Sequence, residues 1–144
     1  MELKIDREVG IETLEQLENS CFKGDVYTKE QLEDILSHKE LYKIIAVERD
    51  GKVVAYAIIF DNSVSLEIMK IATLKEYRKQ GLGALIIKEL SKYGKDIFLE
   101  VRETNEMAIK FYHENGFVDI GKRKHYYSDT GEAAILMEKK YLSI

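Results

Sequence analysis

The stretch Arg78-Lys79-Gln80-Gly81-Leu82-Gly83-Ala84 has the residue types of an anion-binding turn. It follows an apolar run, Leu66 to Thr73, and opens a run with helical spacing at Leu82, Leu85, Ile86, Leu90 and Tyr93. Glycines two apart at a strand-to-helix junction let backbone amides point into a ligand without a Cβ in the way. The helix behind them adds unpaired N–H groups and the positive end of its dipole. This reads as a diphosphate cradle. Two common phosphate motifs fit it badly. A P-loop needs Gly-Lys followed by Ser or Thr for magnesium, and here Ala84 and Leu85 follow Gly83. A dinucleotide fingerprint needs a third glycine, and Ile86 stands there.

The elements that must position this turn follow from periodicity and punctuation. Leu3-Lys4-Ile5 is a short strand, and Ile11, Leu14, Leu17 and Cys21 fall at helical spacing. Thr28 and Gln31 have the spacing of a capping box for a second helix, with Leu32, Ile35 and Leu36 on its apolar face. Asp50-Gly51 between the apolar runs Leu41–Val47 and Val53–Phe60 predicts a hairpin, because both residues tolerate positive φ. Leu66–Thr73 and Ile97–Val101 are further strands. Thr104 or Asn105 caps a helix that Gly116 ends, and a strand region to Tyr127 turns back through Glu132 to Lys140. The expected order is β-α-α-β-β-β-α-β-α-β-β. It predicts an α/β (α+β mixed) fold, with a mixed, mostly antiparallel sheet and helices on both faces.

A chain of 144 residues is expected to be a single domain, 1–144, with a sizeable core. No apolar run reaches the roughly 18 residues of a membrane span, and the mixed-charge start resembles no signal peptide, so a cytoplasmic protein without a membrane partner is expected. A net charge of −4 argues against broad nucleic-acid binding and suits a basic polypeptide as partner. The single cysteine, Cys21, sits in an apolar run without a basic neighbour and reads as core rather than nucleophile. His38, His113 and His125 share no ligand spacing, so no metal is expected. Lys122-Arg123-Lys124 reads as a solvated face, or as a contact for an acidic cofactor.

The Arg-x-x-Gly-x-Gly turn after a mid-chain strand resembles the acetyl-CoA loop of the GCN5-related N-acetyltransferases (GNAT). Leu99-Glu100-Val101-Arg102-Glu103-Thr104-Asn105, then Ala108-Ile109, Phe111-Tyr112 and Gly116-Phe117, resembles the second half of that family. Gly121, Arg123, Tyr126-Tyr127, Glu132, Ala134 and Met137 are similar to its RimI-type branch, which acetylates the N-terminal alanine of a ribosomal protein. The resemblance covers about residues 40 to 140. The chain departs from it in lacking a proline near Lys75, in Val26-Tyr27 where the branch has Pro-Trp, and in Glu132-Ala133-Ala134 where it has Glu-Asp-Ala.

The resemblance implies an N-acetyltransferase with acetyl-CoA as cosubstrate and a protein N-terminus, such as a ribosomal protein's, as partner. It implies that Arg78, Lys79, Gln80, Gly81, Leu82, Gly83 and Ala84 cradle the diphosphate. Backbone amides of Ile71, Ala72 and Thr73 then pair with the pantetheine arm, and one of them polarises the thioester carbonyl. Asn105 lies near the same arm, or is simply the helix N-cap.

Acetylating an amine requires a neutral amine, a stabilised oxyanion and a leaving thiolate. An α-amine has a pKa near 7.7–8.0 and lysine near 10.4, a difference of roughly 3.5 kcal/mol, so a modest base suffices for the former. Glu100 shares a strand face with Phe98 and Arg102 and is the candidate base, unless it merely pairs with Arg102 or a lysine. Glu67, on the neighbouring strand, is its rival. Tyr112, one helical turn beyond Ala108, is the candidate acid, or a core tyrosine with a wet hydroxyl. A tyrosine near pKa 10 facing a thiol near 8.5 makes full transfer uphill by about 2 kcal/mol, so a hydrogen bond to the thiolate stands beside it. Glu67, Tyr126 and Tyr127 are candidate substrate contacts, though one of two consecutive strand aromatics is expected in the core. Rival readings are the same fold acting on a small amine or a lysine, and a non-catalytic acyl-CoA-binding module. Retention of Glu100 and Tyr112 argues against the latter.

Overall fold

In the computed structural model, which describes residues 2–5 and 9–141, the chain runs β1 (Glu2–Ile5), α1 (Ile11–Cys21), α2 (Lys29–Ser37), β2 (Tyr42–Arg49), β3 (Lys52–Asp61) and β4 (Leu66–Thr73). It continues through α3 (Leu82–Ser91), β5 (Ile97–Arg102), α4 (Glu106–Glu114), β6 (Val118–Tyr127) and β7 (Glu132–Lys139). The expected order of elements is the observed one. Local chemistry sets several boundaries. The Thr28 hydroxyl accepts from the Gln31 amide while the Gln31 side chain accepts from the Thr28 amide, closing the capping box of α2. Asp50 and Gly51 both take positive φ, 56° and 74°, and join β2 to β3 in a two-residue turn. Asn105, not Thr104, caps α4, accepting from the Ala108 amide at 3.2 Å.

The strands form one sheet in the order β1-β2-β3-β4-β5-β7-β6. Every pairing is antiparallel except β4 with β5. That parallel pairing covers only Leu66–Ile68 against Ile97–Leu99. Beyond it, among the described residues, the β5-facing edge of Met69–Thr73 has no strand partner, and the sheet splits into a cleft. One apolar layer packs α3 and α4 on the sheet through Leu82, Ile86, Leu90 and Tyr112, against Leu66, Ile68 and Leu99. The other packs α1 and α2 through Leu14, Leu17, Leu32 and Ile35, against Ile44, Tyr56 and Ile58.

A β-bulge in β4 decides what faces each layer. Ile59 pairs with Ile68 and Ile58 with Lys70, so Met69 is an extra residue. Before it, Leu66 and Ile68 face α3 and α4; after it, Ile71 does. Glu67 and Lys70, three residues apart, therefore share the α1–α2 face, opposite to what strict alternation gives. On β5 the alternation is regular. Ile97, Leu99 and Val101 are buried in the α3–α4 layer, and Glu100 and Arg102 point the other way.

Candidate active site

Where β4 and β5 part, a cavity of about 500 Å³ opens on the α1–α2 face. Glu67, Lys70 and Ile71 line it from β4, Glu100 and Arg102 from β5, and Asn105, Ala108 and Tyr112 from the start and inner face of α4. Tyr126 and Tyr127 form one wall, and Tyr27, from the segment between α1 and α2, forms another. The structure thus brings together Glu67, Glu100, Tyr112, Asn105, Ile71, Tyr126 and Tyr127. It leaves Ala72, Thr73 and Arg78–Ala84 outside this cavity, along the continuation of β4 and the loop beyond.

The two carboxylates sit in different settings. Glu100 Oε1 accepts from Arg123 Nη1 at 2.9 Å, so its partner is neither Arg102 nor a lysine. Burial, then the negative charge of Glu100, raises the Glu67 carboxyl above its ordinary range, and Arg123 opposes this. Arg123 also stacks over the Tyr126 ring at 4.1 Å, and Lys122 bonds Glu103 at 2.8 Å. Lys122, Arg123 and Lys124 are all exposed, as a solvated face requires, and the first two also carry ion pairs beside the cavity. Tyr126 and Tyr127 meet edge to face at 5.0 Å, and both line the cavity. An irregular register between Arg123 and Tyr127 lets consecutive residues do so, and neither is the core residue that alternation predicts.

Tyr112 is 7% exposed and wedged edge to face between Phe111 and Phe117. Burial raises its phenol well above the usual tyrosine range. The hydroxyl therefore holds its proton more tightly than sequence reading assumes. It suits hydrogen-bond donation better than proton release.

The glycine turn opens α3 without a side-chain cap. Gly81 takes φ +78° as N-cap of α3, and no side chain caps the first turn. The amides of that turn are thus left to an external acceptor. Lys79 is also at positive φ, 64°. Gln80 accepts from Arg49, and Arg78 Nε bonds the Thr73 carbonyl at 3.1 Å, tying the loop to β4. The Leu82 side chain is core, so only its amide can serve the loop. Gly83 also has a packing reason to lack a side chain: a Cβ there would lie 2.7 Å from Phe111 Cζ. Its bare Cα lets α4 sit close to α3. Gly83→Ala is expected to cost about 1–3 kcal/mol by overpacking, measurable by urea unfolding. Adding Phe111→Leu is expected to restore most of the loss.

Three groups escaped the sequence reading. Glu18 is fully buried and bonds Lys70 Nζ at 2.8 Å, the Tyr56 hydroxyl at 2.5 Å and the Tyr27 amide at 2.7 Å. Lys70 also donates to the Asp25 carbonyl and lies 4.1 Å and 4.3 Å from the Phe22 and Tyr27 ring centroids. This network fastens the α1–α2 segment over the cavity. Arg102 reaches Asp25, Asp129 and Glu132 at 3.0–3.2 Å and stacks on Tyr127, tying that segment to the β6–β7 turn. A signal existed: Glu18 lies one turn from Leu14 on an apolar stripe, and Lys70 interrupts an apolar strand. Two opposite charges each placed in apolar surroundings are candidates for each other.

The comparisons with known proteins agree with this geometry. Residues 11–117 match the model of the acetyltransferase (GNAT) family. The chain belongs to that family. As a GNAT protein it is an acetyl-CoA-dependent N-acetyltransferase. It is 34% identical over 105 residues to the ribosomal protein bS18 alanine N-acetyltransferase of Escherichia coli (strain K12), covering 68% of this chain and 71% of that one. The crystal structure of the ribosomal-protein-S18-alanine N-acetyltransferase from Escherichia coli superposes with TM-score 0.83 and 25% identity, over 99% of this chain and 96% of that one. A PaiA N-acetyltransferase from Thermoplasma acidophilum, solved with coenzyme A, shares the fold at TM-score 0.72 and 20% identity, over 98% and 100% of the two chains. Among the described residues no helix is long and apolar enough to cross a membrane.

Proposed function

We propose that this GNAT domain acetylates the N-terminal α-amine of a polypeptide, of the ribosomal-protein alanine type, in the cytoplasm. The whole chain acts as one acetyltransferase domain, its sheet carrying both the glycine turn and the acceptor cavity. The observation that carries this reading is that Glu67, Glu100 and Tyr112 line one tyrosine-walled cavity. Acetyl-CoA supplies the activated acetyl group. The uncapped first turn of α3, Gly81 and the Lys79–Gln80 backbone suit its diphosphate, with Arg78 at the entrance. The open edge of Ile71–Thr73 suits its pantetheine arm, with Asn105 beside it, and offers an amide to the thioester carbonyl.

The chain's own groups then do the following. Glu67 and Glu100 attract the incoming ammonium and take one proton from it through water, acting as a coupled pair. A carboxyl raised above its ordinary range is a sufficient base for an α-amine near pKa 8 and a poor one for lysine near 10.4. Tyr126, Tyr127 and Tyr27 hold the first peptide residues. The neutral amine attacks the thioester carbon, and the C–S bond breaks as the tetrahedral intermediate collapses. The second proton shed by the nitrogen passes through water to the departing thiolate, which Tyr112 steadies by a hydrogen bond without giving up its own proton.

Acetylation of Ala-first and Ser-first peptides, measured against lysine peptides and polyamines, tests the acceptor; preference for either of the latter overturns it. The base makes its own prediction. Activity is lost as pH falls and Glu67 takes up a proton, and the charge of Glu100 helps raise Glu67. In Glu100→Gln the acid limb of the kcat/KM profile is therefore expected to move to lower pH, with kcat down about 10²-fold. A limb that stays in place removes the coupling.

A further inference from the structure

A second cavity, about 430 Å³, adjoins the first and shares Tyr27, Gln31 and Met69 with it. Its floor is apolar: Ile35 is buried, Tyr42 and Tyr27 line it, and Met69, the bulge residue of β4, is 37% exposed. Its rim is acidic. Glu30 and Asp34 stand one turn apart on the exposed side of α2. Among the described residues no cation pairs with Glu30, and Asp34 faces only His38, at 3.5 Å. The floor is therefore built for hydrocarbon or a stacked cation, and the rim for a positive head. A long basic side chain, arginine or lysine, has both parts: a (CH₂) stem that covers apolar surface and a head kept at the solvent edge.

We propose that this cavity is a specificity subsite for an arginine or lysine of the acceptor polypeptide, within the first few residues after its N-terminus. The inference rests on the reading of the acceptor as a protein N-terminus. Its support is continuity with the reaction cavity and charge complementarity. A chain whose amine reaches Glu67 and Glu100 can leave the reaction cavity past Gln31 and Met69. At 3.3–3.6 Å per extended residue, only a short segment spans neighbouring cavities of this size. The subsite selects the acceptor and plays no part in the chemical step.

The test uses Ala-first peptides in which positions 2 to 6 are, one at a time, arginine, lysine, norleucine or glutamate. In the unmodified enzyme one position is expected to favour arginine or lysine over glutamate by about fivefold in kcat/KM, through KM rather than kcat. Glu30→Gln/Asp34→Asn is expected to flatten that preference and to leave kcat on an Ala-Ala peptide unchanged. Tyr42→Ala is expected to weaken arginine and norleucine alike at the same position. Peptides acetylated without any positional preference for a cation overturn the subsite alone, as does a preference that survives the double substitution. If polyamines are acetylated and no peptide is, the subsite and the acceptor reading fall together.

Discussion

Tyr112→Phe is expected to lower kcat by about 10²- to 10³-fold while leaving the affinity for acetyl-CoA within about twofold. The asymmetry follows from where the hydroxyl sits. The ring is held edge to face by Phe111 and Phe117, and phenylalanine keeps both contacts. Only the oxygen is lost, from a side chain that lines the reaction cavity. A donor that acts as negative charge grows on sulfur contributes to the transition state and little to ground-state binding. Because burial raises the phenol, no part of the effect comes from an ionised tyrosine near neutral pH. Thermal unfolding of the variant is expected to match the parent, excluding a packing defect. Steady-state kinetics with calorimetric titration of acetyl-CoA separates the two parameters. An unchanged kcat would remove Tyr112 from the mechanism.

Lys70→Met is expected to destabilise the protein by about 3–5 kcal/mol, a large share of what holds a domain of this size together. It leaves Glu18, fully buried, without its cation. The Tyr56 hydroxyl and the Tyr27 amide still bond the carboxylate, but neither carries a charge. Glu18→Gln/Lys70→Met removes both charges and is expected to recover much of the loss. Urea midpoints of the two variants decide the matter. A double variant as unstable as the single would mean that the ion pair itself is not what the site requires. The single substitution is also expected to raise KM for the acceptor more than for acetyl-CoA. Lys70 holds the Asp25 carbonyl and lies against Tyr27, which walls the cavity.

Most of the fold was legible because its elements are declared locally. The capping box at Thr28, the Asp50–Gly51 turn and the alternation along Ile97–Val101 need no distant partner to take effect. The site was legible in its types: Glu67, Glu100, Tyr112 and Asn105 do converge on one cavity. What escaped depends on contacts between remote segments. The packing role of Gly83 shows only when Phe111, 28 positions on, is placed against it. Arg123 is solvated as expected, but its ion pair with Glu100 depends on where β6 lies. Glu18 and Lys70 are separated by 52 positions, and only the packing of α1 on β4 joins them.

The bulge at Met69 has a consequence for how this chain tolerates change. Because Met69 is surplus to the pairing of Ile68 with Ile59 and of Lys70 with Ile58, its loss would leave Lys70 and Ile71 on the faces they now occupy. Losing the bulge while keeping the residue does the opposite. With Met69 drawn into regular alternation, Lys70 would turn into the layer beneath α3 and α4, Ile71 would come round in its place, and Glu18 would lose its counter-charge. The irregularity, more than any one side chain in it, keeps the two layers sorted.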